Sequence, residues 1–161
     1  MRAVIQRVLS AAVRVDGRVT GSIEAGYLVL LGVARVDSEK DAEALSAKIG
    51  KLRLFEDPPG KMNLSLTDVG GSVLVVSQFT LLARCNKGNR PSFDLAEGPE
   101  EALRLCHVFV DRLKRTGVPV EEGVFGADMK VSLVNDGPVT IILDSRDPEK
   151  GPGNRTAQEA P

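Results

Sequence analysis

An Asp-Gly pair between two β-branched segments decides how this chain begins to fold: residues 13–20 are Val-Arg-Val-Asp-Gly-Arg-Val-Thr. Both central positions of a tight hairpin turn need a positive φ, which Asp and Gly adopt readily, so Asp16-Gly17 predicts a two-residue β-hairpin. Apolar segments on either side predict three strands, at residues 3–15, 18–23 and 27–33. The chain therefore starts as an antiparallel meander.

Two amphipathic segments follow the meander, and each predicts a helix. Ser38 can cap the first, with Asp41 three residues on, in front of an apolar stripe at positions 42, 45, 49 and 52. Pro99 suits a first helical turn and precedes a second stripe between Ala102 and Leu113. Further strands are predicted at residues 72–79, 118–121, 130–134 and 139–143. Because the helices fall between groups of strands, we predict an α+β fold with a mainly antiparallel, barrel-like sheet and two helices.

Length, charge and hydropathy limit what the protein can be. A chain of 161 residues supports one well-buried core, and its formal net charge of -1 leaves no general basic field for gripping a long nucleic-acid backbone. The apolar runs are far shorter than the ~20 residues that cross a bilayer, which predicts a cytoplasmic protein without a membrane partner. We expect one domain at residues 1–145 and a disordered tail at 146–161, which is rich in Pro, Gly and charge.

The sequence contains few of the residues that common catalytic centres use. A Ser-His-Asp or Cys-His centre would need the single histidine, His107, whose helical placement favours a half-buried residue without a chemical role. Cys85 and Cys106 lack the paired spacing of a zinc site and are predicted to be free thiols. Gly70-Gly71 precedes a strand instead of opening a helix, so it does not predict a phosphate-binding loop.

Polar residues follow an apolar strand at Ser77-Gln78-Phe79-Thr80. A sheet delivers polar groups and irregular backbone to a binding site at such a strand end, although a strand that simply leaves the core gives the same pattern. In a regular strand Gln78 and Thr80 would share one face. Thr80 is a natural candidate nucleophile, but no base is visible beside it, so we favour backbone N–H groups around Gln78 and Phe79 as donors to a developing oxyanion.

A second polar segment, Asn-Asp-Gly-Pro-Val-Thr at residues 135–140, follows the apolar run 131–134. Asp136-Gly137 favours a tight hairpin, but Pro138 cannot donate to a strand ladder, so a special turn is predicted instead. Arg7 is expected to lie between Ile5 and Leu9 on the same strand face, where a charge needs a specific partner. An arginine that extends from a sheet edge into solvent is the alternative.

These segments make the chain resemble the D-aminoacyl-tRNA deacylases, together with residues 1–8, Met-Arg-Ala-Val-Ile-Gln-Arg-Val, and residues 87–93, Lys-Gly-Asn-Arg-Pro-Ser-Phe. The likeness covers roughly residues 1–145. It implies a homodimer that hydrolyses the ester between a D-amino acid and the terminal ribose of a tRNA, and that also removes glycine mischarged on alanine tRNA. Water is the implied nucleophile, activated with help from the terminal 2′-hydroxyl of the RNA. No metal or organic cofactor is implied.

The resemblance also implies roles for individual residues. Residues 77–80 would line the pocket for the 3′-terminal adenosine and the ester. A cis peptide between Gly137 and Pro138, braced by Arg7, would enter the partner subunit's pocket and reject L-amino acids. The other implied substrate and tRNA contacts are Phe125, Met129, Lys87, Arg90, Asn135 and Thr140. Phe125 can equally be a hydrophobic plug at a barrel corner, and the basic loop that contains Lys87 and Arg90 can be an ordinary solvated loop.

Two other classes of function stay open from the residues alone. A metabolic hydrolase with Ser77 or Thr80 as nucleophile predicts a trappable covalent intermediate. A non-catalytic module that binds tRNA ends predicts binding without turnover.

Overall fold

One long strand organises the sheet of this protein, in a computed structural model that describes residues 1–86 and 88–146. In chain order the elements are β1 (Arg2–Val15), β2 (Arg18–Ile23), β3 (Gly26–Gly32), α1 (Glu39–Gly50), β4 (Phe55–Glu56), β5 (Met62–Leu64), α2 (Leu66–Val69), β6 (Ser72–Ser77), a 3-10 turn (Phe79–Leu82), α3 (Pro99–Lys114), β7 (Val120–Glu122) and β8 (Lys130–Asp144). Strand β1 pairs antiparallel with β2, β3 and β8. Asp16 and Gly17 have φ values of 48° and 78°, so the predicted hairpin is confirmed.

The other half of the sheet is parallel. Strand β3 pairs parallel with β6, and β6 pairs parallel with β7. Parallel neighbours need long crossovers, which here contain α1 and α3. The α+β, barrel-like class is confirmed. The parallel pairs were not predicted, because hydrophobic periodicity carries no information on strand direction.

Three predicted elements differ from the structure. The strand predicted at 72–79 ends at Ser77, and the chain then forms the 3-10 turn. The strands predicted at 130–134 and 139–143 are one strand, β8, interrupted by a bulge. A third α-helix, α2, was not predicted, because its four residues are too few to produce a helical repeat.

The two larger helices cover one face of the sheet. Tyr27 and Val29 of β3 lie in the main core with Ile49 of α1 and Phe109 of α3. Leu28, one residue along β3, points to the opposite face and packs in a second cluster with Val8 and Leu74. The alternation along β3 therefore gives the sheet two buried faces.

The carboxyl end of the described domain lies against α1. Arg146 forms an ion pair with Asp41 at 3.2 Å, so this first residue of the predicted tail contacts the folded domain, whereas residues 147–161 lie outside the described part.

Cys85 and Cys106 are free, as predicted, and His107 is exposed instead of half-buried because α3 turns it away from the core.

Within residues 1–86 and 88–146, no helix combines the length and the apolar character needed to span a membrane.

Candidate active site

A cavity of about 490 Å³ lies at the carboxyl end of β6. Its walls come from the ends of β3 and β6, from the first turns of α3, and from the loop between β7 and β8. Five predicted site residues line it: Ser77, Gln78, Phe79, Phe125 and Met129. Pro99, Ala102 and Cys106 of α3 complete a largely apolar wall, a contribution that an ordinary helix stripe did not reveal.

The backbone turns sharply where β6 reaches this cavity. The Gln78 N–H donates to the Leu31 carbonyl at 2.8 Å, and the Leu81 N–H donates to the Gln78 carbonyl at 3.2 Å. The Gln78 side-chain amide donates to the Thr80 hydroxyl. Because residues 79–82 are a 3-10 turn, the predicted strand alternation of Gln78 and Thr80 is wrong.

The turn leaves two backbone donors without an acceptor. Phe79 and Thr80 carry its first N–H groups, which have no partner inside a helical turn, and neither donates to another group in residues 1–86 and 88–146. The predicted donor at Gln78 is wrong, since its N–H is already bonded to Leu31. The candidate donors are therefore the N–H groups of Phe79 and Thr80.

Gly32, at the end of β3, allows the turn to lie against the sheet. A Cβ at this position would overlap the Leu82 side chain and would lie 3.0 Å from the Gln78 carbonyl oxygen. Only glycine leaves this space free. The sequence predicts only the end of an apolar strand at Gly32, because its contact with the turn exists only in the folded chain.

The titratable groups that line the described cavity offer no activated nucleophile. Burial, with a smaller contribution from the charge of Glu122, raises the pKa of Cys106 to about 12, so the thiol stays protonated at neutral pH. The Glu97 carboxylate accepts from the Gly98 N–H, and Asp128 pairs with Lys130 at 2.8 Å. Thr80 does not line the cavity: its side chain is exposed, and its hydroxyl accepts from the Gln78 side-chain amide.

An aromatic pair lies at the mouth of the cavity. Phe79 is 57% exposed and contacts Phe93 edge to face, with ring centroids 5.0 Å apart. In the neighbouring loop, Arg84 pairs with Asp94 at 3.3 Å, and Arg90 is exposed. Lys87 lies outside the described residues.

The second motif forms a bulge between β8 and β1. Val8 pairs with Asn135 and Gln6 pairs with Thr140, so residues 136–139 of β8 stand opposite Arg7 alone. The peptide bond between Gly137 and Pro138 is cis, and both residues are exposed. The special turn that the sequence predicted is confirmed.

Arg7 lies beneath this bulge with only 4% of its surface exposed. Its guanidinium donates to the Leu54 carbonyl at 2.6 Å and approaches the Asp136 carboxylate at 2.9 Å and the Glu56 carboxylate at 3.7 Å. The alternative of a solvent-extended edge arginine is therefore wrong. A register shift between Val8 and Ser10 explains why Leu9 is 55% exposed and does not share the buried face.

Asn135 and Thr140 lie at the two ends of the bulge and do not line the cavity of their own chain. The Asn135 side-chain amide donates to the Arg7 carbonyl at 2.9 Å and to the Val139 carbonyl at 3.0 Å. Thr140 is exposed and accepts from Gln6 at 3.4 Å. Neither position makes a contact that marks it as a binding residue within one chain.

The bulge and the cavity are far apart in one chain. Arg7 pairs with Tyr27 of β3, whereas Ser77 pairs with Leu31, four residues further along the same strand. At ~3.3 Å per residue this is about 13 Å along the strand, and β8 and β6 are separated by β1 and β3. The exposed bulge therefore does not reach the cavity of its own chain.

Comparison with known proteins identifies the family of a region that contains both motifs. A family model described as D-Tyr-tRNA(Tyr) deacylase matches residues 4–144. The chain belongs to this family. The chain is similar to a D-aminoacyl-tRNA deacylase of Geotalea uraniireducens (strain Rf4). The two are 59% identical over 152 residues, which are 94% of this chain and 98% of that protein. The D-aminoacyl-tRNA deacylase of Thermus aquaticus is 57% identical over 155 residues, 96% of this chain and all of that protein. The resemblance derived from the motifs is thus confirmed.

Solved structures of similar proteins agree with the fold of this family member. The structure of the c-Myc DNA Unwinding Element Binding Protein is 44% identical, with a TM-score of 0.83, and the match covers 89% of this chain and 98% of that one. A probable eukaryotic D-amino acid tRNA deacylase is 16% identical with a TM-score of 0.73, over 88% of this chain and 97% of that one, which supports the fold alone.

Proposed function

We propose that this protein is a homodimeric D-aminoacyl-tRNA deacylase of the cytoplasm, which also removes glycine from mischarged alanine tRNA. The observation that carries the proposal is a pair of backbone donors, at Phe79 and Thr80, that have no acceptor among the described residues and lie beside an apolar cavity whose described lining holds no activated nucleophile. Such a site is suited to stabilise charge on a substrate that brings its own reactive ester and hydroxyl.

The cavity is suited to the terminal adenosine of the tRNA. Ala102, Phe125 and Met129 supply small and apolar contacts for a flat nucleobase, and bases of unpaired RNA commonly stack on such surfaces. The exposed Arg90 lies on the loop beside the aromatic pair at the mouth, where phosphates of the acceptor strand would follow. Contact with the RNA is local, in keeping with the net charge of -1.

Hydrolysis then needs water and orientation instead of a protein nucleophile. Water adds to the ester carbonyl carbon, and the resulting oxyanion accepts hydrogen bonds from the Phe79 and Thr80 N–H groups. The bond from that carbon to the ribose oxygen breaks, and the ribose oxygen takes up the proton that the added water loses. The products are the free amino acid and the tRNA. The terminal 2′-hydroxyl of the RNA helps to orient and activate the water.

Chiral selection is assigned to Gly137 and Pro138 of the partner subunit. The bulge is exposed and lies about 13 Å along the sheet from its own cavity, so a second copy is the source that fits. A backbone wall close to the Cα of the substrate clashes with an L side chain and leaves a D side chain free. Glycine has no side chain to exclude, so its ester is accepted.

The direct test is deacylation of D-Tyr-tRNA, L-Tyr-tRNA and Gly-tRNA under single-turnover conditions. The proposal expects loss of the D-Tyr and Gly esters with the L-Tyr ester spared. Binding of all three without ester loss would favour a non-catalytic module, and a trapped acyl-enzyme would favour a side-chain nucleophile.

The shared site has a separate test. A variant damaged at Gln78 and a variant damaged at Pro138 are each expected to be inactive or unselective, and mixed dimers should regain one intact site. Absence of recovery after verified subunit exchange would contradict a site built from two chains.

A further inference from the structure

We propose that Asn135 is a positioning residue for chiral selection, and that it acts by fixing the Gly137-Pro138 bulge instead of binding tRNA. The inference rests on the proposed function. It replaces the role that the motif suggested for Asn135, since the side chain is already committed to its own chain.

The Asn135 amide closes the base of the bulge. Its Nδ2 atom donates one hydrogen bond across to β1, at the Arg7 carbonyl, and one along β8, at the Val139 carbonyl. These two acceptors flank the point where the strands separate, since Val8 pairs with Asn135 and residues 136–139 leave the ladder. One side chain thus replaces the ladder bonds that the bulge removes.

Arg7 holds the same bulge from below. Its Nε atom donates to the Asp136 carbonyl at 3.3 Å and approaches the Asp136 carboxylate at 2.9 Å. A Cβ on Gly137 would lie 3.2 Å from the Arg7 guanidinium, so the backbone rests closely on that group. Arg7 therefore sets the depth of the bulge, and Asn135 sets its two ends.

The Asn135 contacts require a neutral donor. Both partners are carbonyl oxygens, so an aspartate of the same shape would place a carboxylate oxygen against them and lose both hydrogen bonds. The bulge would then be free to move where an L side chain should collide with it. The expected signature is selective, because a displaced wall admits L esters while the backbone donors of the other chain still serve D esters.

The experiment compares Asn135→Asp with Gln6→Glu. Gln6 lies on the same pair of strands at the other end of the bulge, is only partly buried, and donates a single long hydrogen bond of 3.4 Å to Thr140. The control therefore makes the same amide-to-acid change, and adds the same charge, without opening the base of the bulge. Asn135→Ala, which adds no charge, carries the test if the aspartate variant does not fold.

The quantity measured is the ratio of single-turnover rate constants for L-Tyr-tRNA and D-Tyr-tRNA. Loss of two hydrogen bonds is expected to raise this ratio about tenfold or more in the Asn135 variants, with the D rate changed less than about threefold. Gln6→Glu should keep the wild-type ratio. Amide hydrogen exchange should rise at residues 136, 137 and 139 and stay unchanged at the 3-10 turn.

The outcomes separate this inference from the proposed function. A wild-type protein that cleaves L and D esters equally would overturn the proposed function itself. A selective wild type whose Asn135 variants keep the same ratio would overturn the inference alone. Equal losses of the D and L rates would also overturn it, because they indicate a general structural or binding role.

Discussion

Substitution of Gly32 by alanine tests whether the position of the 3-10 turn controls the reaction. The added methyl group would lie 3.0 Å from the Gln78 carbonyl oxygen and overlap the Leu82 side chain. Normal contacts of about 3.5 Å require the turn to move by roughly half an ångström. Overpacking of this kind costs about 1–3 kcal/mol of folding stability. Since a displacement of ~1 Å can cost a factor of 10² in rate, we expect about a tenfold loss here.

The assay is single-turnover deacylation of D-Tyr-tRNA, with thermal unfolding measured on the same samples. Gly60→Ala is the matched control, because Gly60 has a φ of +84° and a Cβ added there would have no atom within 4 Å. This variant should lose ~1–2 kcal/mol of folding stability through backbone strain. Because Gly60 does not line the cavity, the variant should keep the wild-type rate. If Gly32→Ala keeps a rate within twofold of wild type while its melting temperature falls, the turn does not hold the reacting groups.

Three further outcomes follow from the same contacts. Ser77→Ala and Thr80→Ala should each keep single-turnover rates within about tenfold of wild type, since the donors are backbone groups; complete loss with a trapped acyl-enzyme would establish a nucleophile. Cys106 should resist alkylation at pH 8 in the native protein while Cys85 reacts, because burial raises the pKa of Cys106 to about 12; peptide mass spectrometry distinguishes the two. Burial acts to raise the pKa of Asp41, but hydrogen bonds from neighbouring serines outweigh it and the pKa is lowered. Because the pKa is lower in the native state, ionised Asp41 stabilises the fold at pH values above its unfolded-state pKa of ~3.9. This stabilisation is lost as the pH falls through the native pKa. The free-energy advantage of the wild type over Asp41→Asn should therefore shrink below about pH 4 in denaturant titrations.

Local signals in this sequence predicted local structure well. Asp16-Gly17 determines its turn through the conformations those residues tolerate. Ser38 is the N-cap of α1, and the Asp41 carboxylate accepts hydrogen bonds from the Ser38 backbone N–H and hydroxyl within one turn. Pro138 predicted an interruption of the ladder because it has no N–H to donate. Each of these signals depends only on residues that are close together in the chain.

Contacts between distant segments could not be predicted in the same way. The parallel pairing of β3 and β6 depends on how α1 crosses the sheet. The sequence predicts that Arg7 needs a partner but not which one. Leu54 and Glu56 lie at β4, nearly fifty residues further along the chain. The sequence predicts the Gln78 N–H as an oxyanion donor, because its acceptor, the Leu31 carbonyl, becomes a neighbour only in the folded sheet.

The two backbone donors at the 3-10 turn, which have no acceptor in the described part of the chain, also determine how the protein tolerates genetic change. A main-chain N–H is common to every amino acid except proline, so nearly all missense changes at codons 79 and 80 leave the donors in place. Inactivating alleles should instead concentrate at positions such as Gly32, where the side chain decides whether the turn fits. Variation among natural alleles should therefore be lower at Gly32, which does not line the cavity, than at residues 79 and 80.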